Sequence, residues 1–123
     1  MIPYYVGGGD FAAAFVLAHE FGHAMQARLP QREPVGVLRE LQADCFAGSW
    51  ARWVSQRKLL DAGDLDEATL AVFIARDMPG TPWTDPAAHG SGFERTRAFG
   101  DGVELGAKPC YPAPAQRWIL TRG

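Results

Sequence analysis

Cysteine is scarce in this sequence, positive charge is not in excess, and long apolar runs are missing. Only Cys45 and Cys110 occur among 123 residues, and without Cys-x-x-Cys spacing they form neither a disulfide scaffold nor a zinc knuckle. They allow one bridge at most. Such a bridge would close a loop of 65 residues and be worth about 4 kcal/mol in the chain-entropy model; the other reading is a buried thiol on an apolar helix face and an unrelated exposed one. The longest apolar stretch, Phe11 to Ala18, ends at His19 and Glu20, far short of the roughly 20 residues that span a bilayer. No membrane span is expected. Residues 1 to 9 hold no Lys or Arg and lack the apolar segment of about 7 to 15 residues that a secretory signal requires; none is expected here, although a longer parent gene could carry one. Twelve Lys and Arg stand against 14 Asp and Glu, a net charge of -2, with no basic block longer than Arg57-Lys58. The electrostatic footprint of a nucleic-acid binder is absent, so nucleic acid is excluded as an expected partner.

What is present is enough for a core. Apolar residues make up 47% of the chain and charged residues 21%, the balance of a soluble globule of one domain spanning residues 1–123. After Gly7-Gly8-Gly9, Asp10 is placed to cap a helix whose apolar positions Phe11, Phe15, Ala18, Gly22, Met25 and Leu29 step by three and four until Pro30. Its other faces are apolar too, which predicts a central, buried helix. Pro34 suits the first turn of a second helix that runs to about Lys58, with Leu38, Leu41, Cys45, Phe46, Trp50 and Trp53 inward. Asp64 with Glu67 suggests a capping box for a third helix through Ala75 or Arg76, and Ser91 with Glu94 another for a fourth, roughly Gly92 to Leu105. The expectation is a mainly α, four-helix domain. Its first two helices cover about 10–29 and 35–58, and residues 106–123 read as coil.

Two of the three histidines, His19 and His23, lie four apart on the first helix with Glu20 beside the first, the pattern His-Glu-x-x-His. At that spacing the Cβ atoms share one face about 5 to 6 Å apart, so both imidazoles can reach one tetrahedral ion at about 2.0 to 2.1 Å. Glu20 lies about 100° round the helix, turned towards the ion's open side, where it can hold and deprotonate a metal-bound water. The bland alternative is a pair of core histidines bonded to backbone carbonyls, but three ionisable groups on an apolar helix are costly to bury without partners. Zinc usually takes a third protein ligand and leaves a fourth position for water. Glu40 follows His23 by 17 residues and can face the pair from the second helix, with Asp44 one turn on as the outer partner that fixes a histidine tautomer. Exchange of these two roles, or a surface pairing of Glu40 with Arg39 or Arg28, are the alternatives. Gly22 costs about 1 kcal/mol in a helix interior, which close approach of the second helix would explain, with Ala24 and Ala27 acting similarly. His89, in the connector, is either solvated or swings over the metal to stabilise an oxyanion, with Arg95 or Arg97 adding positive charge. Arg95 pairing with Asp101 or with a carboxylate of the second helix is the structural alternative. Trp50, Trp53, Phe46 and Phe73 read as core.

Together, Ala18-His19-Glu20-Phe21-Gly22-His23, Glu40-Leu41-Gln42-Ala43-Asp44-Cys45-Phe46-Ala47-Gly48, and His89-Gly90-Ser91 with Arg95 and Phe99 resemble the bacterial putative neutral zinc metallopeptidase family, a gluzincin-like branch of the proteases. The resemblance covers about Asp10 to Cys110. It implies one zinc ion held by His19, His23 and Glu40, Glu20 as catalytic base, Asp44 as the outer partner, and His89 as a residue of the transition state. It further implies a Cys45 to Cys110 bridge, a peptide or protein substrate, and a place in the cell envelope or outside the cytoplasm. Members usually carry a longer N-terminal region with strands, so the chain is expected to be a C-terminal catalytic portion with the sheet largely absent. Ala24 stands where the family commonly has a further histidine. A rival expectation is a catalytically impaired piece that acts as a metal-stabilised helical binding or structural module.

Overall fold

The computed structural model describes residues 10–29, 36–78, 81–82, 85, 88–111 and 118. Four helices follow one another: α1 (Asp10–Gln26), α2 (Gly36–Gln56), α3 (Asp64–Ile74) and α4 (Gly92–Leu105), with a short 3-10 turn at Lys108–Cys110. Among the described residues there is no strand, and the fold is mainly α as expected. No helix among them is long and apolar enough to cross a membrane.

Local chemistry sets most of the boundaries. Ser91 and Glu94 form the expected capping box of α4: the Glu94 amide donates to Ser91 Oγ at 3.1 Å, and the Ser91 amide to Glu94 Oε1 at 2.9 Å. At α3 the expected box does not form. Gly63, with φ of 88°, precedes the helix without a side-chain cap, and Asp64 Oδ2 accepts from the Asp61 amide at 2.7 Å instead. The acidic first turn of Asp64, Asp66 and Glu67 still favours that end through the helix dipole. Helix α1 starts at Asp10, which is its first residue, and ends at Gln26, short of Leu29. The chain tightens there into i to i+3 bonds, Arg28 to Met25 and Leu29 to Gln26, because the residue before Pro30 is disfavoured in the α region. Helix α2 ends two residues before Lys58, which adopts φ of 58°. The Leu59 amide bonds the Val54 carbonyl and the Lys58 amide that of Ser55, a left-handed termination that satisfies the last carbonyls. Pro34 lies outside the described residues, as does most of the segment after Tyr111.

Helix α2 is the central element, packed on α1, α4 and the 3-10 turn, while α3 closes the far side of α1 and α4. Against α1 it runs antiparallel: Phe11 stacks on Trp50 with ring centroids 5.6 Å apart, Gly22 meets Ala43, and Gln26 reaches the Arg39 carbonyl. Against α4 it runs parallel, Asp44 beside Arg95, Gly48 beside Phe99 and Arg52 beside Val103. A Cβ on Gly48 would collide with the Phe99 carbonyl, and one on Gly102 with that of Cys45. The glycines thus let the two backbones touch. One apolar cluster, including Phe15, Ala47, Ala68, Val72 and Phe99, fills the space between all four helices. A second, including Val37, Leu41, Phe46, Ala98 and Trp118, lies between α2, α4 and the C-terminal segment.

Two expectations about burial are corrected. Helix α1 is not buried all round: Leu17, Phe21 and Met25 are exposed, because its neighbours, chiefly α2 and α3, leave that face uncovered, and Ala24 and Ala27 face out as well. Of the aromatic set, only Phe46 is core. Trp50 and Trp53 are half-exposed, since the inward face of the last turns of α2 passes to Gly48, Ala51 and Val54 against α4. Arg57 covers the Trp53 ring, and Arg76 the half-exposed Phe73 ring.

Candidate metal centre

One turn of α1 brings the His19 and His23 rings edge to face, with centroids 4.7 Å apart and Nε2 atoms separated by 3.1 Å. Across the antiparallel contact, Glu40 of α2 places Oε1 at 3.2 Å from His19 Nε2 and Oε2 at 2.9 Å from His23 Nε2. That reach depends on Gly22, where a Cβ would come within 2.9 Å of the Ala43 Cα and force α2 away.

Each ring is held from behind. His19 Nδ1 donates to Asp44 Oδ1 at 2.8 Å, and Asp44, fully buried, also accepts from Arg95 Nε at 2.7 Å and Nη2 at 2.8 Å. The third Arg95 bond goes from Nη1 to the Ala75 carbonyl at 3.0 Å. Arg95 is thus clamped to α2 and the end of α3. Asp101 instead accepts from Trp118 Nε1 at 2.8 Å. His23 Nδ1 sits 2.8 Å from Gln26 Oε1.

The donor set fits a cation. A carboxylate can only accept, so Asp44 keeps the proton on His19 Nδ1 and leaves its Nε2 lone pair facing forward. Gln26 Oε1 stands in the same place behind His23 Nδ1, and with both rings neutral the two Nε2 atoms and the Glu40 carboxylate offer three acceptors. They lie within 4.8 Å of one another, with near-neighbour separations close to the roughly 3.3 Å between ligands that are each about 2.0 to 2.1 Å from a tetrahedral ion. Without a metal, a proton takes that place. Burial pulls the His19 imidazole down, but its hydrogen bonds to Asp44 and Glu40 outweigh it and raise the ring to about 9. The Glu40 bond raises His23 against the opposing effect of burial. For Glu40, burial pushes upward, yet the two imidazoles hold the carboxyl well below the ordinary carboxylate range.

The set opens onto a cleft of about 370 Å³ whose walls include Phe15, Val16, Ala71 and Ile74, with Glu20, Glu40, His89 and Arg95 as polar lining. Glu20 is exposed and makes no hydrogen bond or ion pair among the described residues. His89 stands on the opposite wall, half-exposed, with Nε2 at 3.9 Å from Glu40 Oε1. Its backbone is anchored by Asp77, whose carboxylate accepts from the His89 amide at 2.9 Å and the Gly90 amide at 2.8 Å. Arg97 is exposed and does not line the cleft, so of the two arginines only Arg95 contributes there. Cys45 and Cys110 are joined by a disulfide with Cα atoms 5.4 Å apart.

Two contributing residues escape the sequence reading. Gln26 had a signal, standing three residues after His23 and therefore on the same helix face. Asp77 had none, because the turn after α3 meets His89 only through the path of the connector.

The family model described as Putative neutral zinc metallopeptidase matches residues 1–111. Uncharacterized protein YpfJ of Escherichia coli is 34% identical over 119 residues, covering 80% of this chain and 42% of that protein. Uncharacterized protein Rv2575 of Mycobacterium tuberculosis and Uncharacterized protein Mb2605 of Mycobacterium bovis are each 34% identical over 125 residues, covering 80% of this chain and 43% of theirs. The chain spans less than half the length of these relatives. No solved structure matches. The match along most of the chain makes this protein a member of the Putative neutral zinc metallopeptidase family.

Proposed function

We propose that this chain is a zinc peptidase unit in which His19, His23 and Glu40 hold one zinc ion, Glu20 is the general base and His89 stabilises the oxyanion. The observation that carries the reading is the convergence of two imidazole nitrogens and a carboxylate within 4.8 Å, beside an exposed carboxylate that is unpaired among the described residues, at an open cleft. Zinc bound there would supply a Lewis acid for the scissile carbonyl and a lowered pKa for water. Glu20, which lines the same cleft, would take a proton from the attacking water and return it to the leaving amine. His89, held at its backbone by Asp77, is placed to donate to charge that develops on the substrate oxygen. Asp44 and Arg95 act behind His19, keeping its ring oriented.

The family description supports a peptide or protein substrate, and the apolar wall of Phe15, Val16, Ala71 and Ile74 offers surface for its side chains. The disulfide supports a location in an oxidising compartment outside the cytoplasm. The test is Glu20→Gln beside the wild type, with metal analysis and hydrolysis of an unstructured protein measured on both. Zinc retained near one per chain with hydrolysis reduced by at least a hundredfold is expected. Equal hydrolysis in both proteins would end the peptidase reading and leave a metal-stabilised binding module.

A further inference from the structure

Gln26 is the last residue of α1, almost fully buried, and its amide is used completely. Its Nε2 donates to the Arg39 carbonyl at 2.6 Å and to Gln42 Oε1 at 2.9 Å, and its Oε1 faces His23 Nδ1 at 2.8 Å. A backbone carbonyl can only accept, so the contact with Arg39 decides which end of the amide is nitrogen. The oxygen is then the atom turned to His23, and an oxygen there can be satisfied only by an N–H on Nδ1. Gln42 cannot reverse this arrangement, because its own Nε2 is committed to the Cys110 carbonyl at 2.8 Å. A fixed direction of donation therefore runs from the imidazole through Gln26 and Gln42 to the Cys110 carbonyl.

We infer that Gln26 is a positioning residue of the metal centre, locking His23 in the Nδ1–H tautomer so that its Nε2 lone pair meets those of His19 and Glu40. The inference rests on the reading of these three side chains as metal ligands. The other tautomer would set an Nδ1 lone pair against the Gln26 oxygen and an N–H where a cation belongs. Asp44 does for His19 what Gln26 does for His23, one with a charge and the other with a neutral amide. The difference leaves His23 less negative surroundings behind its ring.

The test uses the whole chain, with zinc as the probe. Long-range proton–nitrogen NMR of the zinc-loaded wild type is expected to show the His23 proton on Nδ1, slow to exchange with water. Gln26→Met, similar in volume but unable to reproduce the amide's bonds, is expected to weaken zinc by about 10- to 100-fold in competition with a chromophoric chelator. In that variant the His23 Nδ1–H should exchange rapidly while the His19 Nδ1–H on Asp44 stays protected, a contrast that general loosening would not give. Unchanged zinc affinity in Gln26→Met, or ligation of His23 through Nδ1 in the wild type, overturns the role of Gln26 alone. Failure of the wild type to bind zinc overturns it together with the metal centre. The wild-type spectrum decides the tautomer even where the variant does not fold.

Discussion

At the scale of residues, the site is a balance between protons and a cation. The metal-free His19 ring titrates at about 9 against an ordinary 6.5, so its contribution to the stability of the metal-free fold is full below pH 6.5 and is lost as pH rises through about 9. The Glu40 contribution has the opposite sense, present above its ordinary 4.5 and lost only in strong acid. Zinc needs unprotonated Nε2 atoms on His19 and His23, both raised in the metal-free protein, so binding expels protons and affinity should rise with pH through the range where they titrate. The gap in Tm between zinc-loaded and chelated protein is therefore expected to widen from pH 6.5 to 9; a gap independent of pH would contradict the proton count. Behind His19, Asp44 is wholly buried and takes its permanent countercharge from Arg95, shared with the His19 ring while that ring is protonated. Above about pH 9, where His19 no longer shares that role, Arg95→Met should cost about 3 to 5 kcal/mol in urea unfolding, the usual result of leaving a buried charge alone. The His-Glu-x-x-His spacing was legible here because residues four apart on a helix share a face; the same rule offered a signal for Gln26, which the sequence reading passed over. Asp77 was not, since nothing local links residue 77 to residue 89.

At the scale of elements, the second half of helix α4 carries Gly100 and Gly102, which helix propensity treats alike. Packing separates them. A Cβ on Gly102 would enter the backbone of α2 at Cys45, whereas one on Gly100 would meet nothing within 4 Å. Gly100→Ala is expected to stabilise the protein by about 0.5 to 1 kcal/mol through helix propensity. Gly102→Ala should destabilise it by about 1 to 3 kcal/mol or more, since two helix backbones would have to part. Thermal unfolding of the two variants side by side reads the difference, and equal shifts would refute the close α2 to α4 contact. The boundaries of α4 were readable in advance because its capping box is complete within four residues. The end of α2 was read to within two residues, but its left-handed termination at Lys58 was not, because lysine carries no preference for that conformation.

For the whole molecule, the disulfide links the helix that holds Glu40 and Asp44 to the C-terminal segment across a loop of 65 residues. Its reduction should cost about 4 kcal/mol of stability by the loop-entropy relation, measured as a fall in urea midpoint on adding reductant; a midpoint that does not move would show that the bond constrains little. The exposed apolar side of α1 was misread from the sequence as buried. Amphipathic patterning says how much apolar surface a helix has, and the number of neighbours decides how much of it is covered. By itself, the sequence determined that the fold would be helical, that α1 would present two imidazoles and a carboxylate, and that α4 would start at Ser91, because hydrogen bonds and side-chain spacings within one or two turns fix such features. Only the tertiary structure decided that Glu40 meets both Nε2 atoms while Asp44 stands behind His19, and that Arg95 completes the set. Those assignments depend on the register between helices, which contacts such as Gly22 on Ala43 and Gly48 on Phe99 set between residues far apart along the chain.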